Sequence, residues 1–99
     1  MAIAAVSISP VGEGASVSRY VAAALRVARA QNRVRVQTDS MFTTLEGDLG
    51  EIFDLVQRME EAVFAEGAVR VGTVLKIDHR RDRQVTMEDK LASVEALLE

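Results

Sequence analysis

Hydrophobic residues along this 99-residue chain follow two different periods, one of about two residues and one of about 3.6. Residues 2–11 are small, apolar or β-branched, and Pro10 followed by glycines ends the run, which predicts a first strand. Ser16 or Ser18 is then expected to cap a first helix. The apolar positions that recur at helical spacing in it are Val17, Val21, Leu25 and Ala28.

The middle of the chain predicts a hairpin followed by a second helix. Residues 33–38 alternate in polarity, Asp39 and Ser40 supply a turn, and residues 41–47 form another β-rich run. Asp48 and Glu51 have the spacing of a capping box, and Gly67 lies where a left-handed C-terminal cap is expected. The apolar stripe of this helix is Ile52, Phe53, Val56, Met59 and Val63.

A fourth strand over residues 68–78 and a last helix opening at Thr86 complete the order. The apolar positions of that last helix are Met87, Leu91, Val94, Leu97 and Leu98. The fold class is therefore α+β, a ferredoxin-like βαββαβ sandwich with a four-stranded antiparallel sheet and an extra C-terminal helix. Right-handed crossovers place strand one between strands three and four. The length predicts a single domain over residues 1–99.

The first and fourth strands are apolar on both of their alternating faces. In strand one, Ile3 and Ala5 alternate with Ala4 and Val6, so neither face is clearly polar. The two long helices can cover only one face of the sheet, and a second apolar face needs its own cover. We expect that cover to be another copy of this chain, in a homodimer formed through the sheet faces.

Composition narrows the possible functions. A net charge of −3 argues against nucleic acid as a partner, and the lack of cysteine excludes disulfides and thiolate metal sites. His79 has no second histidine at ligand spacing and no serine placed to be activated by it, so we expect no metal site and no catalytic residue. No apolar run approaches the roughly 20 residues of a membrane span, and the N-terminus lacks the basic start of a signal peptide. We expect a cytoplasmic protein with no membrane partner.

Three arginines cluster in the stretch "KIDHRRDRQVTMEDK", residues 76–90. Arg80, Arg81 and Arg83 could contact a ligand phosphate. Alternatively, the segment is the end of a strand, a solvated turn whose arginines are balanced by Asp78 and Asp82, and the start of the last helix. The structural interpretation is the one we favour.

Four separated stretches carry a resemblance to a known family. They are "MAIAAVSISPVGEGASVSRYVAAAL", "TTLEG", "MEEAVFAEGAVRV" and "KIDHRRDRQVTMEDKLASVEALL". Together they resemble the small thiamine-binding-protein family related to YkoF, and the resemblance runs from about Ala2 to Leu97. The resemblance implies a ferredoxin-like domain that pairs through its sheets into a dimer and a homotetramer. It also implies non-catalytic binding of thiamine or its hydroxymethylpyrimidine half, in salvage or as a carrier, with no cofactor beyond that ligand. The alternative is an oligomeric regulatory or interaction module without a small-molecule ligand.

Candidate binding residues follow from the chemistry of an aminopyrimidine, which needs hydrogen-bonding groups beside an apolar surface. Strand alternation puts Thr44 with Glu46 on one face and Met41 with Thr43 on the other, and a pocket would use one set. Each hydroxyl could instead serve the strand itself. The full predicted set is Ser7, Tyr20, Thr38, Met41, Thr43, Thr44 and Glu46.

Overall fold

The order of strands and helices agrees with the βαββαβ pattern and its additional helix. In a computed structural model, which describes residues 1–98, the chain forms four strands and three helices. They are β1 (Ala2–Pro10), α1 (Ser18–Arg29), β2 (Arg35–Thr38), β3 (Thr43–Gly47), α2 (Leu49–Ala65), β4 (Val71–His79) and α3 (Met87–Leu97). The predicted α+β, ferredoxin-like class is confirmed.

All neighbouring strands of the sheet run antiparallel, in the order β2-β3-β1-β4. The crossover rule therefore placed β1 correctly between β3 and β4. The register is unequal on the two sides of β1: pairing with β3 stops at Val6 opposite Thr43, whereas pairing with β4 continues to Pro10 opposite Val71. Residues 7–10 of β1 thus have a strand on one side only, among the residues described.

The hydrophobic core lies between one face of the sheet and the two long helices. Ala4, Val6 and Leu45 project from the sheet into it, and Ile52 and Leu55 meet them from α2. Fully burying one such aliphatic side chain contributes about 1.5–3 kcal/mol. This face supplies most of the apolar burial that stabilises the fold.

Two details of α1 differ from the prediction. Its N-cap is Val17, with no side-chain hydrogen bond, so the expected cap at Ser16 or Ser18 is wrong. The buried stripe is Tyr20, Ala23, Ala24 and Ala28, which is rotated from the predicted one. Alanines on this face allow the helix to approach the core closely, and the bulkier Val21 and Leu25 turn towards a cavity beside it.

The ends of α2 are partly as predicted. Asp48 is the N-cap and its carboxylate accepts the Gly50 N–H at 3.1 Å, but Glu51 binds Arg33 at 2.9 Å, so this pair does not form the expected box. Gly67 has φ +113° after the helix, which confirms the left-handed end. Phe53 is half exposed, and Leu55 takes the place predicted for it in the core.

The other side of the sheet, away from α1 and α2, is the open face. It carries Ile3, Ala5, Ser7, Arg35, Thr44, Glu46, Val74 and Lys76. The last helix, α3, covers one corner of it. Thr86 and Asp89 form the predicted capping box at its start, but Met87 is the one residue of α3 that is buried in the part of the chain described. None of the three helices has the length and apolarity to cross a bilayer, as far as residue 98.

Candidate functional site

A cavity of about 270 Å³ opens at one end of the core, between the sheet, α1 and the turn that joins β2 to β3. We call it the helix-side cavity. Its apolar wall comes from both helices and from β1, and a polar rim comes from the turn and the neighbouring strand ends. The residues that line it are Val6, Ser7, Ile8, Ser9, Val17, Val21, Ala24, Leu25, Thr38, Asp39, Ser40, Met41, Phe42, Thr43 and Met59.

The register of the sheet explains why a cavity forms there. Because β3 begins only at Thr43, residues 7–9 of β1 run past its end, and their free edge borders the cavity. An unpaired strand edge presents backbone N–H and C=O groups in alternation. This edge can therefore offer a donor and an acceptor side by side to a small polar ligand.

The turn over residues 39–42 forms the rim opposite that edge. The Asp39 N–H donates to the Phe42 carbonyl at 3.1 Å, and the Asp39 carboxylate accepts the Ser40 N–H at 2.7 Å. Closing the turn in this way keeps Met41 and Phe42 out of the strand. Met41 is 77% exposed, so its predicted place on the strand beside Thr43 is wrong.

Four of the predicted site residues line this one cavity: Ser7, Thr38, Met41 and Thr43. Thr43 is buried and faces the helices, and Thr38 lies opposite it on β2. The Thr38 hydroxyl oxygen accepts a hydrogen bond from Arg29 at 3.0 Å. Ser7 has the same strand parity as Ala5, so its side chain faces the open side and its backbone borders the cavity.

Thr44 and Glu46 lie on the open face, away from that cavity. Glu46 is only 3% exposed. Its carboxylate accepts a hydrogen bond from the Arg35 guanidinium at 2.7 Å and another from the Met87 N–H at 2.7 Å. Both of its oxygens are thus occupied in attaching α3 to the sheet. Thr44 lines a separate, wider hollow of about 540 Å³ with Gln37 and Lys76.

Arg35 joins Glu46 to a second carboxylate at the start of α3. Its two terminal nitrogens donate to the oxygens of Glu88 at 2.9 and 2.7 Å, a bidentate pair. The hydrogen bond from Arg35 lowers the pKa of Glu88 to about 2, and the two carboxylates raise the pKa of Arg35. The arrangement binds α3 to β2 and β3 through charge.

Tyr20, the remaining predicted site residue, lies outside the helix-side cavity. Its hydroxyl donates to Glu13 at 3.2 Å and accepts from Arg19 at 2.6 Å. The Arg19 guanidinium also lies 4.6 Å from the centre of the ring, a cation–π contact. Tyr20 thereby connects the loop before α1 to the helix.

The arginine-rich segment after β4 contains one internal ion pair. Arg80 binds Asp82, and the hydrogen bond lowers the pKa of that carboxyl. Asp78, expected to balance the arginines, forms its ion pair with Lys90 of α3 at 2.5 Å, and its pKa is lowered first by that bond and also by the charge of Arg80. Within residues 1–98, no group of three His, Asp or Glu side chains is arranged to hold a metal ion. Phosphate binding by these arginines stays a prediction.

Several cavity residues were not predicted from the sequence. Asp39 was interpreted as a turn residue only, Val21 and Leu25 as core, and Phe42 as part of a strand. For Asp39 and Phe42, their position in the sequence between Thr38 and Thr43 was the available signal; Val21 and Leu25 on α1 had none. The way they converge depends on where β3 begins, which no periodicity specifies.

Comparison with known proteins gives consistent results along the whole chain. A family model described as thiamine-binding protein matches residues 4–95. The UPF0045 protein YqgV of Bacillus subtilis is 42% identical over 98 residues, which cover 95% of this chain and 94% of that protein. The UPF0045 protein MJ1052 of Methanocaldococcus jannaschii is 42% identical over 92 residues, 93% of this chain and 90% of that protein.

Solved structures agree with the fold. The crystal structure of MJ1052 superposes with a TM-score of 0.87 at 41% identity, covering 95% of both chains. A Thermotoga maritima protein named for thiamine biosynthesis or salvage superposes with a TM-score of 0.79 at 20% identity, covering 94% of this chain and 97% of that one. The second likeness is one of fold.

Proposed function

Since this chain belongs to the thiamine-binding protein family, we propose that it binds thiamine or its hydroxymethylpyrimidine half in the helix-side cavity, as a non-catalytic salvage or carrier protein. The observation that carries the proposal is the free edge of β1 beyond Val6, which borders a cavity holding four of the residues predicted for the site.

The polar edge of an aminopyrimidine matches what this cavity offers. Its exocyclic amine donates and the adjacent ring nitrogen accepts, so the ring can pair with a backbone C=O and N–H on one strand edge. Thr43 and Thr38 line the same cavity as that edge, and their hydroxyls can donate or accept. Hydrogen bonds of both kinds favour this ring over an apolar one of the same size.

The apolar wall supplies the second requirement. Val21, Leu25 and Phe42 surround the space next to the strand edge, and an aromatic side chain can stack on a flat heterocycle. Small-molecule sites are mostly apolar with a few polar groups that fix orientation. The composition of the cavity fits that description.

We assign no catalytic group to the site. The lining contains hydroxyls but no histidine or lysine that could activate them, and its one carboxylate, Asp39, accepts the Ser40 N–H rather than a hydrogen bond from a lining hydroxyl. His79 lies opposite Ala2, at the far end of β1 from the cavity. Binding without chemistry is the role that these residues support.

The proposal is tested by calorimetry with thiamine, hydroxymethylpyrimidine and a pyrimidine that lacks the exocyclic amine. The first two should bind and raise the melting temperature, because a ligand selective for the folded state stabilises it. The third should bind about tenfold more weakly, because the backbone C=O loses its donor. If neither thiamine nor hydroxymethylpyrimidine binds at millimolar concentration, the proposal is wrong.

We also propose that the protein forms a homodimer through its open face, and from it a homotetramer. Val74 is 58% exposed there, opposite Ser7, and further along the same face Ile3 shares a hollow with the exposed Leu91 and Val94 of α3. Apolar residues grouped on one face of a sheet are typical of an interface. Light scattering should give a multiple of 10.8 kDa, and Val74→Glu should reduce it. A wild-type monomer would contradict the dimer.

A second function is favoured by the same surface. An oligomeric regulatory or interaction module would use the open face and need no ligand in the helix-side cavity. The two functions separate by experiment: an oligomer that binds neither thiamine nor hydroxymethylpyrimidine supports the module, whereas ligand binding that survives Val74→Glu supports the carrier.

A further inference from the structure

The rim of the helix-side cavity carries a single ionisable side chain. Asp39 is the one acidic or basic residue among those that line the cavity, in the part of the chain that the structure describes. All others are apolar residues or hydroxyls. The electrostatic character of the site is therefore determined at this one position and at the charges just outside it.

The Asp39 carboxylate is held in place but not neutralised. One of its oxygens accepts the Ser40 N–H at 2.7 Å, and the backbone N–H of Asp39 closes the turn with Phe42. Within residues 1–98, no lysine or arginine forms an ion pair with it, although Lys76 and Lys90 line the hollow on the open face that Asp39 also borders. One carboxylate oxygen is left to meet a ligand.

Cavity size places the charged part of a ligand near that oxygen. At about 270 Å³, the cavity is slightly below the range of about 300–1,000 Å³ usual for small-molecule sites. One heterocyclic ring fits the apolar interior better than two. If the pyrimidine pairs with the edge of β1, the second ring of thiamine, a thiazolium with a fixed positive charge, lies at the rim.

We infer that Asp39 makes the helix-side cavity selective for a ligand with a cationic second ring, over a neutral pyrimidine alone and over its phosphorylated forms. This inference rests on the proposed function and adds a specificity residue to it. A rim ion pair in solvent is modest, so the expected gain for the cation is about fivefold in affinity.

Arg29 is the basic side chain bonded to the same wall, through the Thr38 hydroxyl at 3.0 Å. Its positive charge would favour a phosphate at the rim rather than a thiazolium. Asp39 lines the cavity directly, while Arg29 contacts it through Thr38. Direct lining is the reason why we give Asp39 the larger effect.

Calorimetry on the full chain tests the inference with three ligands: thiamine, hydroxymethylpyrimidine and thiamine phosphate. Asp39→Asn keeps an oxygen for the Ser40 N–H and removes only the charge. It should lower the affinity for thiamine about fivefold and change the affinity for hydroxymethylpyrimidine less than about twofold. The difference in affinity between thiamine and thiamine phosphate should become smaller. Added salt should lower the affinity for thiamine more in the wild type than in the variant.

Asp54→Asn is the matched control, because it removes the same charge from an exposed site on α2 and should change no affinity. Equal losses for thiamine and hydroxymethylpyrimidine in Asp39→Asn would overturn the inference, as would unchanged affinities or wild-type binding of thiamine phosphate tighter than thiamine. Any of those results would still be compatible with the proposed binding of thiamine or hydroxymethylpyrimidine in the cavity. If none of the three ligands binds, the proposed function and the inference about Asp39 are both wrong.

Discussion

The two faces of the sheet hold their covering helices by different means. On the helix-covered face, Val6 and Leu45 meet α1 and α2 through buried aliphatic contacts. On the open face, α3 is attached through Glu46, Arg35 and Glu88, while most of its apolar side chains are exposed. The comparison indicates that apolar packing determines the stability of the fold and that charge determines the position of α3.

Magnitudes support this division. A fully buried leucine contributes about 1.5–3 kcal/mol, whereas an exposed ion pair contributes about 0–1 kcal/mol. Glu46 is the exception on the open face, because it is buried and its hydrogen bonds cannot be replaced by water. Truncation to alanine should therefore destabilise the fold most at Leu45, less at Glu46 and least at Glu88.

Removing a core side chain should have the largest effect. Leu45 is fully buried, so Leu45→Ala should lower the free energy of unfolding by about 2–5 kcal/mol through lost burial and a residual cavity. Urea denaturation at a fixed low protein concentration measures it. Val74→Ala, on the open face, is the control and should cost less than about 1 kcal/mol. Similar losses for both would contradict the difference between the faces.

Glu46→Ala should have the next largest effect on stability. It leaves the Met87 N–H without its acceptor and Arg35 without one of its two carboxylates, at a cost of about 1–3 kcal/mol. Amide exchange of Met87 should accelerate strongly. Glu88→Ala, which removes the more exposed carboxylate, should cost less than Glu46→Ala, because solvent screens the ion pair of Glu88. Equal costs would show that burial of Glu46 has no special role.

Ligand affinity offers a second way to compare the faces. Thr43→Val keeps the shape of a buried residue of the helix-side cavity and removes its hydroxyl, so it should weaken hydroxymethylpyrimidine by about 0.5–1.5 kcal/mol. Thr44→Val makes the same change on the open face and should leave the affinity unchanged. Calorimetry measures both. A larger loss in Thr44→Val, or in Glu46→Gln, would place the site on the open face.

Much of this arrangement could be predicted from the sequence. The two-residue and 3.6-residue periods predict the elements, and the crossover rule predicts the order of the strands. Alternation along β3 also places Thr43 and Thr44 on opposite faces, as observed. These features depend on local pattern and on chain connectivity, both of which a sequence contains.

The site depends on features that no local pattern contains. The hydrogen bond between Asp39 and Phe42 takes Met41 into the turn, so β3 starts two residues later than predicted and the cavity opens beyond its end. Glu46 accepts a hydrogen bond from the Met87 N–H, 41 positions away in the sequence, a contact that forms only when the chain is folded. Register and long-range pairing therefore limit prediction of the site from sequence.

Acidification should give the smallest effect, confined to α3. Because Arg35 lowers the pKa of Glu88 from 4.5 to about 2, the folded state favours the ionised carboxyl. The contribution of this ionised carboxyl to stability is complete above pH 4.5 and is lost as the pH falls towards 2.

Amide exchange of α3 should accelerate across that window while β1 stays protected. Glu88→Gln should flatten the profile in part, because two other carboxyls at α3 still titrate: Asp89, whose pKa is lowered by its bond to the Thr86 N–H, and Asp78, whose pKa is lowered by its bond to Lys90. Glu95→Gln, near the other end of α3, should leave the profile as it is. Identical profiles for the wild type and Glu88→Gln would mean that the bidentate pair does not hold α3.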